Sequence, residues 1–150
     1  MIYNIVLNSN NIVSGIASNG IHQFDWTVLP EARYRVTYSF MSGFQNLANM
    51  PSIPMLYIDL GQNTVYTSSI NSISARLSQF VGPLFPNFIS ANSFLFSTKE
   101  STSAVLLSSR PSSNQFNVRI LSHLNGLNWV DNTNALVTQY VLNLTLETIE

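Results

Sequence analysis

The segment 136–149 alternates between apolar and polar positions along most of its length. Its apolar face, interrupted at Thr138, consists of Leu136, Tyr140, Leu142, Leu144 and Leu146. A period of two residues is typical of a half-buried β-strand, whereas an amphipathic helix needs apolar residues at three- and four-residue spacing. The pattern therefore predicts a long strand here. Such a strand needs neighbouring strands to pair with its backbone.

The same alternation recurs along the rest of the chain. It predicts strands at about 2–8, 22–29, 33–40, 55–60, 94–99, 103–109 and 116–120, separated by turns rich in Asn, Ser, Gly and Pro. Short strands without intervening helices indicate an all-β fold, and a single antiparallel jelly-roll sandwich of about eight strands fits best. The alternative is an immunoglobulin-like sandwich, although the chain has no cysteines for that framework. A length of 150 residues suggests that 1–150 is one domain.

Alternation also predicts which side chains lie between the two sheets. The expected core residues are Trp26, Tyr34, Val36, Tyr38, Phe40, Phe116, Val118, Leu142 and Leu144. Within 22–29, the same reasoning places Phe24, Trp26 and Val28 on one inward face.

The segment 68–82 differs from the other segments. Its apolar residues Ile70, Ile73, Leu77, Phe80 and Val81 follow one another in steps that include three and four residues. Those steps are typical of a helix, so we expect at most one short helix, near 68–82.

The segment 43–54 is unusually apolar for a loop, since it contains Phe44, Leu47 and Met50. One interpretation is a loop that folds over the end of its own core. The other is a contact surface for a neighbouring subunit, because loops run over the surface and exposed apolar clusters mark contact sites. We therefore take these three residues as a candidate subunit interface.

Composition strengthens the expectation of association. Only 9% of the residues are charged, against roughly 25% in an average soluble protein. Hydrophobic residues make up 45% of the chain. A chain with few charges and abundant apolar residues has little electrostatic protection against association, so we expect a homo-oligomer.

Charge and cysteine content exclude several classes of function. The formal net charge is −1 and no basic stripe is present, so we expect no nucleic-acid partner. The absence of cysteine excludes disulfides and thiolate metal sites. The first residues do not resemble a signal peptide, and we expect no membrane span. These features favour assembly in the interior of a cell.

Catalytic patterns are missing from the sequence. There is no Gly-x-Ser-x-Gly motif, and the two histidines are His22 and His123. His22 and Asp25, three residues apart on a predicted strand, would point to opposite faces, and His123 lies in a predicted turn. We interpret both histidines as surface or turn residues. The acidic residues show no pairing pattern, so we expect neither an enzyme nor a metal or other cofactor.

Trp129 is the strongest candidate for contact with a ligand or partner. It lies between Asn128 and Asp131, in a region rich in turn residues. Aromatic rings of this kind stack on sugars, but most aromatic residues of a β-sandwich belong to its core. A glycan ligand is therefore possible, without further support from the sequence.

Several local patterns resemble those of a known group of proteins. They are Phe24-Asp25-Trp26 followed by Leu29-Pro30, the run from Tyr34 to Phe40, the run from Phe116 to Ile120, and the run from Tyr140 to Leu144. Together they resemble small minor capsid or accessory virion proteins of large double-stranded DNA viruses of eukaryotes. The resemblance implies a single jelly roll located in the virion, with a structural role through packing against other capsid subunits. The alternative function is a jelly-roll module that binds a carbohydrate or a receptor.

Overall fold

The computed structural model of the chain describes residues 1–45, 53–60, 69–71, 76–78, 80–90, 93–98, 105–122, 129 and 136–149. Strands dominate these residues, and the helical segments among them are the short 3-10 turns Ser9–Asn11 and Trp26–Val28. The predicted all-β fold is therefore confirmed.

In chain order, the strands are β1 (Ile2–Asn8), β2 (Ser14–Ile16), β3 (Asn19–Gln23), β4 (Arg33–Gln45), β5 (Pro54–Asp59), β6 (Ser69–Asn71), β7 (Arg76–Ser78), β8 (Phe80–Pro83), β9 (Phe85–Ser90), β10 (Ser93–Ser97), β11 (Val105–Leu107), β12 (Gln115–Ser122) and β13 (Leu136–Ile149).

The strands form two antiparallel sheets. The first sheet has the order β1-β13-β4-β10-β9, and β11 also pairs with β4. The second sheet has the order β2-β3-β12-β5-β8, while β6 and β7 pair with each other. The chain alternates between the two sheets as it passes from β1 to β3, β4, β5, β10, β12 and β13. That alternation is compatible with the expected jelly roll.

The last strand, β13, lies between β1 and β4 in the first sheet. It pairs with β1 on one side and with nearly the whole length of β4 on the other. Its alternation follows from this position, because one face packs on the second sheet and the other faces outward. The strand partners predicted for β13 are therefore β1 and β4, whose sequences also alternate between apolar and polar residues.

The space between the sheets holds a single continuous core. All nine predicted core residues are buried, and none of them is more than 4% exposed. The alternation of apolar side chains therefore predicts correctly which faces of β4, β12 and β13 turn inward.

A bulge in β13 changes the inward face at one end of the strand. The register with β4 shifts between Val137 and Gln139, where Thr138 is the additional residue. As a result Val137 is buried, whereas Leu136 is 39% exposed. The inward position expected for Leu136 is wrong, because an extra residue reverses the parity of every residue before it.

The expectation of at most one short helix is met, and the described residues of 68–82 contain none. The described parts of that segment are the strands β6, β7 and β8. β8 pairs with β5, and β6 pairs with β7. Short apolar runs fit either structure, and backbone pairing with a neighbouring strand decides the outcome. The serines and asparagines of this segment are also poor helix formers.

The strand expected at 22–29 ends at Gln23. The Asp25 side chain accepts a hydrogen bond from the backbone N–H of Thr27 and starts a 3-10 turn. The turn keeps Trp26 buried but leaves Val28 66% exposed. The inward position predicted for Val28 is therefore wrong, because the alternation of a strand does not continue through a turn.

Candidate functional site

The outward face of the first sheet carries several large apolar side chains. Ile2 is 60% exposed, Val6 is 64%, Met41 is 45% and Val141 is 50%. We call these four residues the outer patch. Val141 lies directly opposite Met41 in the pairing of β13 with β4. Exposed apolar residues that share one flat face are typical of a protein contact surface.

The position of the outer patch is fixed by the core on the other side of the sheet. Phe40, Leu142 and Leu7 point inward and are buried, so the residues next to them in each strand must point outward. If these strands turned their other side inward, the core residues would be exposed to water. The outward direction of Val141 and Met41 therefore follows from the packing of the core.

Short polar side chains occupy the rest of this face. They are Asn4, Thr37, Ser39, Asn143 and Thr145. The Thr145 hydroxyl donates a hydrogen bond of 2.9 Å to Oδ1 of Asn4, which connects β13 with β1. Oδ1 of Asn143 is buried and has no hydrogen-bond partner among the described residues. The centre of the face therefore contains no charge.

Charges occur at one end of the face. Arg35 and Glu147 lie opposite each other in β4 and β13, with 3.8 Å between Nη1 and Oε2. Both side chains are about half exposed, so this pair contributes little to stability. Arg33 lies on the same face two residues before Arg35, so the charged side chains of the described face are confined to this end.

A groove of about 350 Å³ lies at the other end of the face. Met41, Val141 and Leu95 provide its apolar lining, while Gln139 and the turn 8–10 provide polar groups. Because Met41 and Val141 belong to both the groove and the outer patch, the two form one continuous surface.

Phe44 does not belong to this surface. The strand β4 extends beyond its predicted end at 40 and includes Phe44, whose side chain is 1% exposed. Its ring lies 5.3 Å from Phe96 and 5.6 Å from Trp129, edge to face in both cases. The prediction that Phe44 lies in a contact loop is therefore wrong, since the pairing of β4 with β10 and β13 continues to Gln45.

Trp129 is also a core residue. Its side chain is 2% exposed, and its backbone N–H donates a hydrogen bond of 2.8 Å to the carbonyl oxygen of Ile120. The expectation of a ligand or partner contact is wrong for this residue, because its ring is covered by its own chain.

Leu47 and Met50 lie outside the described residues, as does His123. The interface predicted for Leu47 and Met50 and the turn position predicted for His123 stay predictions.

His22 is buried rather than exposed, with an exposed fraction of 0%. Its Nε2 shares a hydrogen bond with the hydroxyl of Tyr140, and its ring stacks on Phe116 at 5.5 Å. Burial lowers the pKa of His22 and raises the pKa of Tyr140. The surface interpretation of His22 is wrong, although the sequence carried a signal, since His22 has the same parity as the inward-facing Trp26.

The acidic residues near His22 do not form a metal-binding cluster with it in the described part of the chain. Asp25, the acidic residue closest to His22 in sequence, accepts hydrogen bonds from the side chain and backbone N–H of Thr27, which lower its pKa. No group of three or more His, Cys, Asp and Glu side chains in the described part of the chain could hold a metal ion.

The described part of the chain contains no helix that is long and apolar enough to cross a membrane. Comparison of the chain with protein-family models, with curated proteins and with solved structures finds no match.

Proposed function

We propose that the protein is a structural subunit that assembles with other copies of itself through the outer face of the first sheet. The observation that carries this proposal is the outer patch, four half-exposed apolar side chains on a face whose centre is uncharged. The low charge of the whole chain supports it, because few like charges oppose the approach of a second copy.

The size of the patch supports association of this kind. Complete burial of a large aliphatic side chain contributes roughly 1.5–3 kcal/mol, and these residues are already about half buried. Covering all four therefore contributes several kcal/mol before the loss of translational and rotational freedom is subtracted. A face of this kind suits a subunit that packs repeatedly against identical neighbours, each contact being modest.

The resemblance to small virion proteins gives the proposal its specific form. In that form the protein is a minor capsid or capsid-associated component of a virion, with no chemistry of its own. The sandwich with a strand order compatible with a jelly roll supports this role, as does the uncharged centre of the outer face. Other capsid subunits are then its partners.

Replacement of two residues of the outer patch tests the proposal. We expect wild-type protein to form assemblies in sedimentation velocity runs. The double variant Met41→Lys, Val141→Asp places opposite charges side by side across the strand pair, and we expect it to sediment as a smaller species with a melting temperature close to that of wild type. Val28→Asp is the matched control, since Val28 is equally apolar and 66% exposed but lies in a 3-10 turn and not in a strand of this sheet. A monomeric wild type at all concentrations would contradict the proposal.

The alternative, a carbohydrate- or receptor-binding module, drew its support from an accessible Trp129 and from the Asn-rich loops. The Trp129 side chain is buried, which removes the first of these supports. A monomer that binds defined oligosaccharides on a glycan array would nevertheless restore it.

A further inference from the structure

The first sheet ends at β1, and the backbone of this edge strand is open on one side. The N–H of Thr148 donates a hydrogen bond of 3.0 Å to the carbonyl oxygen of Met1, which lies opposite it. In an antiparallel pair, alternate residues direct both backbone groups to the same neighbour. The odd-numbered residues of β1 therefore face β13.

The even-numbered residues direct their backbone groups away from the sheet. At Asn8, the outward N–H donates to Oδ1 of Asn11, so the 3-10 turn closes this end of the edge. For Ile2, Asn4 and Val6, the backbone N–H and C=O groups have no partner among the described residues. We call these six groups the free edge.

The free edge lacks the features that usually prevent strand pairing between molecules. Natural edge strands are commonly protected by charged residues, proline or a bulge. β1 reads Ile-Tyr-Asn-Ile-Val-Leu-Asn and contains no charge and no proline. It also pairs with β13 in an uninterrupted register. The edge of the second sheet offers a poorer template, because β2 has only three residues and Gly15 within it has a φ of 90°.

The sequence of β1 is complementary to itself in one antiparallel register. We propose that β1 pairs with β1 of a second copy of this chain, with Asn4 opposite Asn4 at the twofold axis. This register continues the hydrogen-bonding phase, since Ile2, Asn4 and Val6 of one copy meet Val6, Asn4 and Ile2 of the other. Each of these pairs exchanges two backbone hydrogen bonds, and the free edge is then fully paired.

Side chains select the same register. On the outer face, Ile2 lies beside Val6 of the second copy, so two members of the outer patch cover each other on both sides of the axis. On the inner face, the half-buried Tyr3 lies beside Ile5 of the second copy. Shifting the register by two residues would place Ile2 or Val6 beside an asparagine, which removes these apolar cross-strand pairs.

The paired edge also joins the two outer faces into one surface. The first sheet of each copy continues into that of the other, so the outer patches and grooves lie on the same side of a single sheet. This inference rests on the proposed function, because both require copies of the chain to associate. It adds a specific contact between two copies, the pairing of their β1 strands.

Two edge variants and a matched control test the contact by sedimentation over a concentration series. Val6→Lys places a charge on the edge, and Asn4→Pro removes an N–H that points outward and is not used in the pairing of β1 with β13. Val28→Lys is the control, because Val28 has almost the same exposed fraction as Val6, 66% against 64%. We expect Val28→Lys to associate like wild type and both edge variants to sediment as smaller species. Val6→Lys should keep the melting temperature of wild type, whereas Asn4→Pro also loses the side-chain hydrogen bond with Thr145 and should melt at a slightly lower temperature.

A cross-linking experiment reports the register and does not depend on the stability of the proline variant. The chain has no cysteine, so Asn4→Cys introduces a unique thiol. At the twofold axis the two Cα atoms would be about 5.5 Å apart, within the roughly 4.4–6.8 Å that a disulfide spans. We expect Asn4→Cys to form disulfide-linked dimers at least about tenfold faster than Val28→Cys under mild oxidation, because pairing raises the local thiol concentration.

The outcomes separate this inference from the proposed function. If wild type and all variants associate equally and Asn4→Cys cross-links no faster than Val28→Cys, the β1 contact is wrong while association through the outer face stands. If wild-type protein is monomeric at every concentration, both are wrong. Loss of association in Val6→Lys and Asn4→Pro together with rapid cross-linking supports the pairing.

Discussion

The hydroxyl of Tyr140 and Nε2 of His22 share a hydrogen bond that connects β13 of the first sheet with β3 of the second. This polar contact lies inside an otherwise apolar core, where Phe116 and Phe40 flank the two rings. Nδ1 of His22 is buried and has no hydrogen-bond partner in the described residues. This environment favours the neutral imidazole, since no acceptor among the described residues stabilises a second N–H.

The stability of the fold should depend on pH through His22. Burial lowers the pKa of His22 in the folded state below its ordinary value of 6.5. Below pH 6.5 the unfolded chain then binds a proton at His22 that the folded chain does not. The contribution of the neutral imidazole to stability is therefore fully present above pH 6.5 and decreases as the pH falls below that value. The free energy of unfolding should decrease by up to about 1.4 kcal/mol per pH unit in that range. Urea denaturation at pH 7.5, 6.5 and 5.5 measures this slope.

The matched variant for this measurement is His22→Gln, which keeps a hydrogen-bonding group toward Tyr140 but cannot titrate. The second histidine of the chain, His123, is present in both proteins, so the difference between the two slopes belongs to His22. Equal slopes in wild type and His22→Gln would show that His22 does not control the acid sensitivity.

Truncation of two neighbouring residues in β13 should change the stability of the fold by very different amounts. Leu142 is fully buried, so Leu142→Ala should lower the free energy of unfolding by about 2–5 kcal/mol, as other buried leucines do. Val141 is 50% exposed on the other face, and Val141→Ala should change it by no more than about 0.5 kcal/mol. Chemical denaturation of the two variants measures the difference, and similar values would mean that the faces of β13 are assigned wrongly.

The success of sequence reasoning in β13 has a simple physical cause. A strand with one buried face must alternate, so the apolar positions identify both the strand and its inward side. The reasoning fails at Leu136 because a bulge at Thr138 reverses the parity, and one polar residue in an alternating run does not distinguish a bulge from an ordinary outward position.

The candidate site was harder to predict, because it depends on which strands become neighbours. Alternation identifies Val141 and Met41 as outward-facing, but only the register between β13 and β4 places them side by side. In the same way, Phe44 is predicted to lie in a loop because the segment 43–54 begins with glycine and contains several asparagines and prolines. The pairing with β10, a strand distant in sequence, extends β4 and buries Phe44.

The contact between His22 and Tyr140 is even harder to predict from the sequence. The two residues are 118 positions apart, and histidine is more often partly exposed than fully buried. The parity that His22 shares with Trp26 was the available signal. This parity indicates only that the His22 side chain points inward. Which residue it contacts there depends on how the two sheets pack against each other.

Truncation of Phe44 should affect the fold rather than association. The ring is 1% exposed and contacts the rings of Phe96 and Trp129, so Phe44→Ala should lower the free energy of unfolding by about 3–5 kcal/mol. Gln45→Ala is the control, because Gln45 is the next residue of β4 and is exposed. Thermal melting followed by tryptophan fluorescence measures both. A variant Phe44→Ala that melts like wild type but fails to assemble would restore the interface prediction for this residue.

The last prediction concerns the bulge that shifts the register of β13. Gly43 of β4 lies beneath it, and a Cβ atom at position 43 would lie 2.7 Å from Oγ1 of Thr138. That distance is too short for a real contact, and the β-branched Thr138 has little rotational freedom to move away. Gly43→Ala should therefore lower the free energy of unfolding by about 1–3 kcal/mol, as other overpacked sites do.

A double-mutant cycle separates this contact from a general effect of alanine on β4. Thr138→Ala removes the hydroxyl that the new Cβ would meet, so the double variant Gly43→Ala, Thr138→Ala should be more stable than the sum of the single effects implies. Chemical denaturation of the four proteins gives the coupling energy. Additive effects would mean that residue 43 and the bulge do not interact. The close approach of Gly43 to Thr138 would then play no part in fixing the position of the bulge. That position matters because the inward-facing residues of β13 change there from Val137 to Tyr140.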